Sequence, residues 1–155
     1  MSASATGGLV TDMNGLRGSG PLHLGYSDWA EMTQEQVNTF ADLTGDHNPI
    51  HVDPERARTS VFGTTVAHGM LSLSLLATVT QRLQVTDAGS AVNYGSEKVR
   101  FPAPLRVGDR WRGGAEVVEV SEIKGGLQAR VTATVEVKDS ERPAAVAEFL
   151  LRFYP

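Results

Sequence analysis

The sequence predicts an α+β fold in which one buried helix is covered by an antiparallel sheet. Apolar residues at helical spacing fill the first half of the chain, and after Gly89 they alternate with polar residues in four stretches. Helical segments followed by consecutive strands are typical of α+β domains. The most apolar stretch spans residues 67–84, and Ser and Thr are the only polar residues between Met70 and Val79. A helix of that composition is buried on most sides, so we expect the sheet to curl around it.

The composition is that of one globular domain. The chain has 155 residues, of which 41% are hydrophobic and 21% charged, and its formal net charge is −4. It lacks the basic surface of nucleic-acid-binding proteins and the run of about 20 apolar residues that spans a bilayer, so we expect neither partner. The absence of cysteine excludes disulfides and thiolate chemistry and fits a cytoplasmic protein.

The beginning of the chain differs from the rest. Residues 1–20 are rich in Gly, Ser, Thr and Ala and poor in bulky side chains. Because such a segment gains little from burial, we expect a flexible lead-in followed by a single domain at residues 21–155. Residues 22–32 then fit a short strand or extended entry segment.

The first helix is marked at both ends by local signals. Thr33 and Gln36 form a capping-box pattern, and Gly45 is a natural stop about three turns later. Asn48 and Pro49 follow, and a residue before proline avoids the helical conformation. We therefore expect extended or turn backbone in the segment that joins this helix to the next.

Two more helices are predicted before the strands begin. Asp53 can cap a short helix that starts with Pro54 and ends at about Thr59. The apolar stretch then forms one long helix from Ala67 to about Gln84.

Four strands complete the chain. Each alternates apolar and polar residues, and short turns rich in Gly, Pro or Asp separate them, which favours an antiparallel sheet of consecutive strands. The predicted strands are Ala91–Arg100, Arg110–Val120, Gln128–Val137 and Ala145–Tyr154.

Asp46 and His51 lie five positions apart in the loop between the first two helices. A carboxylate and an imidazole can hold one water molecule, with one group removing its proton while the other supplies a proton to a substrate. Asn48 can orient a polar group with its amide, and Pro49 stiffens the turn. A plain turn with a surface histidine fits the same spacing, which leaves both readings open.

Gly69 opens the apolar helix, directly after His68. Backbone N–H groups at a helix start have no partner within the helix, so a carbonyl placed there would be polarised as in an oxyanion hole. Glycine also lets a ligand approach the backbone closely. The alternative is that Gly69 eases the packing of helix on sheet and that His68 belongs to the helix N-terminal cap.

Other kinds of site fit the sequence less well. His47 and His51 are four positions apart, but Pro49 interrupts the helix that would align them, so we expect no metal site. Ser72 and Ser74 lie in the apolar helix without the Gly-x-Ser-x-Gly turn of serine hydrolases.

The residues of this loop resemble a known family signature. Residues 40–51 read FADLTGDHNPIH, and with the following Asp53, Pro54 and Ala57 they resemble the motif of the (R)-specific enoyl-CoA hydratases, or MaoC-like dehydratases. AHGM at 67–70 and FPAPLRVGD at 101–109 resemble two further blocks of that family. The family has the hot-dog fold, a long central helix wrapped by a curled antiparallel sheet, usually as a homodimer. The resemblance therefore implies the same layout as the periodicity.

The resemblance also implies a reaction and roles. Asp46 and His51 correspond to the catalytic pair, Asn48 to the motif asparagine that binds substrate, and Gly69 to the oxyanion-hole glycine. The implied reaction is the reversible syn hydration of a trans-2-enoyl thioester to an (R)-3-hydroxyacyl thioester. It uses no metal or redox cofactor, and coenzyme A or an acyl carrier protein holds the acyl group as part of the substrate.

Two other functions stay open on the sequence. A hot-dog thioesterase would place a carboxylate on or beside the central helix, and residues 67–85 contain no Asp or Glu. A non-catalytic subunit that binds acyl thioesters is the second alternative. The presence of both Asp46 and His51 speaks against a degenerate site of that kind.

Overall fold

The structure, a computed structural model, describes residues 2–3 and 8–155. The strands are β1 (Ser2–Ala3), β2 (Leu9–Thr11), β3 (Leu22–Tyr26), β4 (Ala30–Glu31), β5 (Leu83–Val85), β6 (Ser90–Arg100), β7 (Arg110–Ile123), β8 (Gly126–Val137) and β9 (Ala145–Tyr154). The helices are α1 (Met13–Arg17), α2 (Gln34–Thr44), α3 (Pro49–Val52), α4 (Pro54–Arg58), α5 (Gly69–Leu75) and α6 (Ala77–Thr80). Across the described residues, no helix combines the length and the apolar character needed to cross a membrane.

The main sheet is antiparallel and has the strand order β3-β7-β8-β9-β6, with β4 also paired to β7. β8 lies at its centre and alternates buried and half-buried residues along its whole length. Its inner face packs on α5 and α6, which confirms the predicted α+β arrangement of a helix covered by a sheet. At Gly113 in β7 an added Cβ would lie 3.0 Å from Val79 Cγ1, so glycine lets α6 approach the sheet closely.

The predicted order of the strands is wrong at one position. β6 was expected beside β7, but it pairs with β9 at the far edge of the sheet. The connection between β6 and β7 runs past the start of α5, where Ala67 N–H donates to the Leu105 carbonyl over 2.8 Å. This long connection carries the chain across the sheet, whereas a tight turn would have made β6 and β7 neighbours.

The central helix is also shorter than predicted. It consists of α5 and α6 with a break at Leu76, and the stretch from Leu83 to Val85 is a strand. At the break, the Leu76 and Val79 N–H groups donate to carbonyls three residues earlier, as in a 3₁₀ turn. The Ser74 and Thr78 hydroxyls donate to carbonyls four and three residues earlier, a pattern that bends helices.

Residues 8–20 do not form the expected lead-in outside the domain. β2 pairs in parallel with β5, and Leu9 and Leu16 are buried in the same core as the sheet. Asp12 caps α1 by accepting from the Gly15 N–H over 2.6 Å. The predicted boundary at residue 21 is therefore too late, and residues 1 and 4–7 of the predicted segment lie outside the described residues.

Candidate active site

His51 is carried by α3, a single helical turn where the sequence predicted extended or turn backbone. Asn48 is extended, as expected before proline, and its side-chain oxygen accepts from the Ile50 N–H over 3.3 Å. Pro49 then takes the first helical position, where its fixed φ favours the helix and no N–H is needed. The structure thus assigns Asn48 to the cap of the helix that holds His51.

Burial and a hydrogen bond fix the His51 ring. The residue is 8% exposed, and its Nδ1 lies 2.7 Å from the Val66 carbonyl oxygen. Because a carbonyl oxygen only accepts, Nδ1 carries the proton and Nε2 of the neutral ring carries a lone pair. The backbone of residue 66 therefore selects the tautomer of His51.

The backbone of His51 is held from α2 through a bond that the sequence did not indicate. Gln34 Nε2 donates to the His51 carbonyl oxygen over 2.8 Å, and the buried Thr65 hydroxyl donates to Gln34 Oε1 over 2.5 Å. In the sequence, Gln34 is an ordinary polar residue in the first turn of a predicted helix, and nothing marks it as a partner of His51. Only the fold reveals its partners, which lie 17 and 31 positions away.

Asp46 is exposed and lies in the turn that ends α2. Gly45 adopts a left-handed conformation with φ 77° and its N–H bonds to the Ala41 carbonyl, which stops the helix as predicted. One Asp46 carboxylate oxygen accepts from the Asn48 N–H over 3.3 Å. The Asp46 carboxylate therefore stands on a short rigid turn.

His68 joins Asp46 and His51, although the sequence favoured a role in the helix cap. It does stand at the N-cap of α5, but its side chain makes no capping bond. Its Nε2 lies 2.9 Å from the Asp46 carbonyl oxygen, and its ring stacks on His51 with centroids 3.8 Å apart. One side-chain nitrogen or oxygen from each of the three residues lies within 4.8 Å of the others.

The side-chain atoms of Asp46, His51 and His68 lie close enough together for one water molecule to bridge two of them. Two partners of one water molecule lie about 4.5 Å apart, since each hydrogen bond is about 2.8 Å long. The His68 Nε2 is directed at the Asp46 carbonyl, and the His68 Nδ1 has no hydrogen-bond partner among the described residues.

A cavity of about 290 Å³ adjoins this cluster. His51, Gly69 and Ser72 line it together with the segment 101–105, and apart from His51 and Ser72 its lining residues are apolar. Gly69 is the first residue of α5, and an added Cβ there would lie 3.0 Å from the Phe101 ring. Within the described residues the lining does not include Asp46 or Asn48, both of which are exposed.

His47, which directly follows Asp46, has a partner outside the cluster. His47 Nε2 lies 2.8 Å from the Asp42 carboxylate, and both side chains are exposed. The hydrogen bond to Asp42 raises the pKa of His47 above 6.5. The His47 side chain therefore contacts Asp42 on the exposed surface of α2 and is not a member of the cluster.

Comparison with known proteins identifies the chain by sequence. A family model described as a MaoC-like domain matches residues 22–140. A 3-hydroxyacyl-thioester dehydratase Z from Mycobacterium tuberculosis is 51% identical over 132 residues, covering 84% of this chain and 87% of that protein. An (R)-specific enoyl-CoA hydratase from Rhodospirillum rubrum is 34% identical over 107 residues, covering 69% and 72% of the two chains.

Comparison with solved structures gives the same fold. An (R)-hydratase from A. caviae, involved in PHA biosynthesis according to its description, superimposes with a TM-score of 0.70. It is 25% identical, and the match covers 99% of this chain and 100% of the other. The curled sheet around a central helix is thus the hot-dog fold that the sequence predicted.

Proposed function

Since the chain belongs to the MaoC-like dehydratase family, we propose that it interconverts trans-2-enoyl thioesters and (R)-3-hydroxyacyl thioesters by adding or removing water. The observation that carries the proposal is the approach of the Asp46 carboxylate to the His51 ring beside an apolar cavity. The carboxylate and the imidazole supply the two proton-transfer groups, and the cavity supplies room for the acyl chain.

In the hydration direction, the pair holds one water molecule against C3 of the enoyl group. The water oxygen bonds to C3 while one member of the pair takes its proton, and the C2=C3 π electrons move toward the carbonyl. A proton from the pair then forms the new C2–H bond on the same face. The two groups act as one unit, and either can serve as the base in this scheme.

The Gly69 N–H is the proposed partner of the thioester carbonyl. Negative charge builds on that oxygen as the enolate forms, and a fixed N–H donor stabilises it more in the transition state than in the substrate. Gly69 lines the same cavity as His51, so one bound thioester can reach both. The proposed scheme moves only protons and one water molecule and therefore calls for no metal or redox cofactor.

Asn48 takes a different place from the one first expected. Its side-chain oxygen caps α3, and within the described residues Asn48 is not among those that line the cavity. We therefore expect Asn48 to affect substrate binding indirectly, by fixing the backbone that carries Asp46 and His51.

The direct test is turnover of a series of enoyl-CoAs of graded chain length, beginning with crotonyl-CoA. Hydration to the (R)-3-hydroxyacyl product, identified by chiral analysis, supports the proposal. Release of free thiol from acyl-CoA would instead indicate a thioesterase, and binding of acyl-CoA without turnover would indicate a non-catalytic subunit. The same series run on acyl carrier protein thioesters separates the two carriers.

A homodimer is part of the proposal, with β6 as the joining edge. β6 ends the main sheet among the described strands, and nearly all of its residues are exposed, including Val92 and Tyr94. An exposed edge strand with apolar side chains is a template for pairing with a second chain. Val92→Glu should yield a monomer in sedimentation analysis, and Val61→Glu, at a valine that is 93% exposed elsewhere, should not. A dimer in both variants would contradict this edge.

We also expect the protein to act in the cytoplasm, as its composition predicts. Fractionation of the native cells with an antibody against the chain checks this expectation.

A further inference from the structure

His68 is buried and contacts both members of the proposed catalytic pair, but it does not line the cavity. The residue is only 3% exposed, and the ring lies between His51 and Phe40, with centroids 3.8 Å and 5.0 Å away. Because the described cavity is lined by His51 and Gly69 and not by His68, a bound substrate meets His51 first.

The His68 ring contacts Asp46 through its edge and His51 through one face. Its Nε2 donates to the Asp46 backbone carbonyl over 2.9 Å, and this bond joins the exposed turn to the start of α5. Its face stacks on the His51 ring at an interplanar angle of 27°. One side chain thus fixes both the backbone of Asp46 and the plane of His51.

The other ring nitrogen has no structural partner. His68 Nδ1 is buried and forms no hydrogen bond with any described residue. Unpaired buried polar atoms are uncommon in folded proteins and concentrate where function requires a particular side chain. A phenylalanine would fill the same space without the unpaired atom, so packing alone does not account for a histidine here.

We propose that His68 is a positioning residue that holds Asp46 and His51 at the separation that one water molecule can bridge. The proposal rests on the proposed hydratase function. His68 itself touches neither the substrate nor the water. Its effect on the rate comes from geometry, because small displacements of catalytic groups reduce rates strongly.

Two substitutions separate the two contacts. His68→Phe keeps an aromatic face against His51 and loses the donor to Asp46, whereas His68→Gln keeps a donor of similar reach and loses the ring. Each should lower kcat for crotonyl-CoA by about 10- to 100-fold with little change in KM. His23→Phe, at an exposed histidine of β3, is the matched control and should retain the wild-type kcat.

A double-mutant cycle distinguishes positioning from a general loss of structure. If His68 acts through Asp46, His68→Phe should have much less effect on an Asp46→Asn enzyme than on the wild type. Wild-type kcat in both His68 variants would overturn the proposal. So would losses that multiply fully in the Asp46→Asn background. If His68→Phe does not fold, a cycle of His68→Gln with His51→Asn decides, because the Gln variant loses the contact with the His51 ring.

A spectroscopic readout tests the proposal independently of turnover. The His51 Nδ1 proton, bonded to the Val66 carbonyl, should exchange slowly in ¹⁵N-edited imidazole spectra of the wild type and the His23→Phe control. It should exchange faster in His68→Gln, which lacks the stacked ring, and equal protection in that variant would overturn the positioning role. If the wild type hydrates no enoyl-CoA, the proposed function fails while this measurement still decides the role of His68.

Discussion

Asp46 and His51 are held in opposite ways. Asp46 is exposed on a tight turn, and its carboxylate accepts a long bond from the Asn48 N–H over 3.3 Å. His51 is buried, bonded through its ring to Val66 and through its backbone to Gln34. Because of this difference, a substitution at Asp46 should reduce activity without reducing stability, whereas a substitution at His51 should reduce both.

The largest effect is expected on the exposed half. Asp46→Asn keeps the size of the side chain and removes its ability to exchange a proton, so kcat should fall by about 10²- to 10⁴-fold. The free energy of unfolding should stay within about 0.5 kcal/mol of the wild type, since no buried contact is lost. Steady-state hydration of crotonyl-CoA and urea unfolding measure the two quantities. A large loss of stability in this variant would show that the turn contributes to the core.

The buried half should lose both properties, and two substitutions can divide the loss. His51→Ala and His51→Asn should each lower kcat by about 10²- to 10⁴-fold. Only His51→Ala leaves the Val66 carbonyl without a donor, so it should lower the free energy of unfolding by about 1–3 kcal/mol. The Asn amide can replace the Nδ1 donor and should recover part of that loss. Equal unfolding curves for the two variants would argue against the bond to Val66.

Gly69→Ala tests the part of the cavity wall where α5 contacts Phe101. An added Cβ would lie 3.0 Å from the Phe101 ring, which lines the cavity, so the ring must shift. We expect kcat/KM for crotonyl-CoA to fall by about tenfold. Phe101→Leu, which has a smaller and more flexible side chain, should restore part of the activity of Gly69→Ala. No restoration would mean that the contact with Phe101 is not the cause.

A smaller loss of stability and activity is expected at Thr65, which bonds the residue that holds the His51 backbone. Thr65→Val removes the hydroxyl that bonds Gln34, and it should lower the free energy of unfolding by about 1 kcal/mol. A modest decrease in kcat should accompany it, because Gln34 then holds the His51 carbonyl less firmly. Thr64→Val, at the less buried neighbour, is the control in thermal unfolding and should match the wild type. Identical kcat values for all three proteins would place Gln34 outside the function of the site.

The smallest effect belongs to the exposed ion pair beside the site. Asp42 raises the pKa of His47, so the pair favours the folded state fully below pH 6.5 and loses this contribution as pH rises through the folded pKa. An NMR titration should place the His47 pKa above 6.5, and Asp42→Asn should lower it. Hydration activity should hardly change in that variant, because the pair lies outside the cluster of Asp46, His51 and His68.

Local signals in the sequence predicted the parts of the site that depend on neighbouring residues. The capping box at Thr33, the stop at Gly45 and the cap at Asp53 are all present, because each involves groups within four positions of one another. The four long strands also match closely, since alternation reflects one buried face. The sequence therefore places Asp46 after the end of α2 and Gly69 at the start of the apolar helix correctly, whereas His51 lies on the short helix α3 and not in a loop.

Contacts between distant segments could not be predicted in this way. His68 meets Asp46 across 22 positions, and nothing in the residues between them encodes that contact. The position of β6 beside β9 depends on a connection that passes the start of α5. In each of these cases packing between distant elements overrode the local pattern.

The strand order has a practical consequence for anyone preparing shortened versions of this protein. A fragment cut to the family match, residues 22–140, would lack β9, and β9 is the only strand in the described sheet that joins β6 to β8. It would also remove β2 from the edge of β5 and uncover apolar core on that side. A truncation designed from sequence similarity would therefore expose edges of β5, β6 and β8 and invite aggregation. Shortened forms of the chain should begin before Leu9 and end after Tyr154.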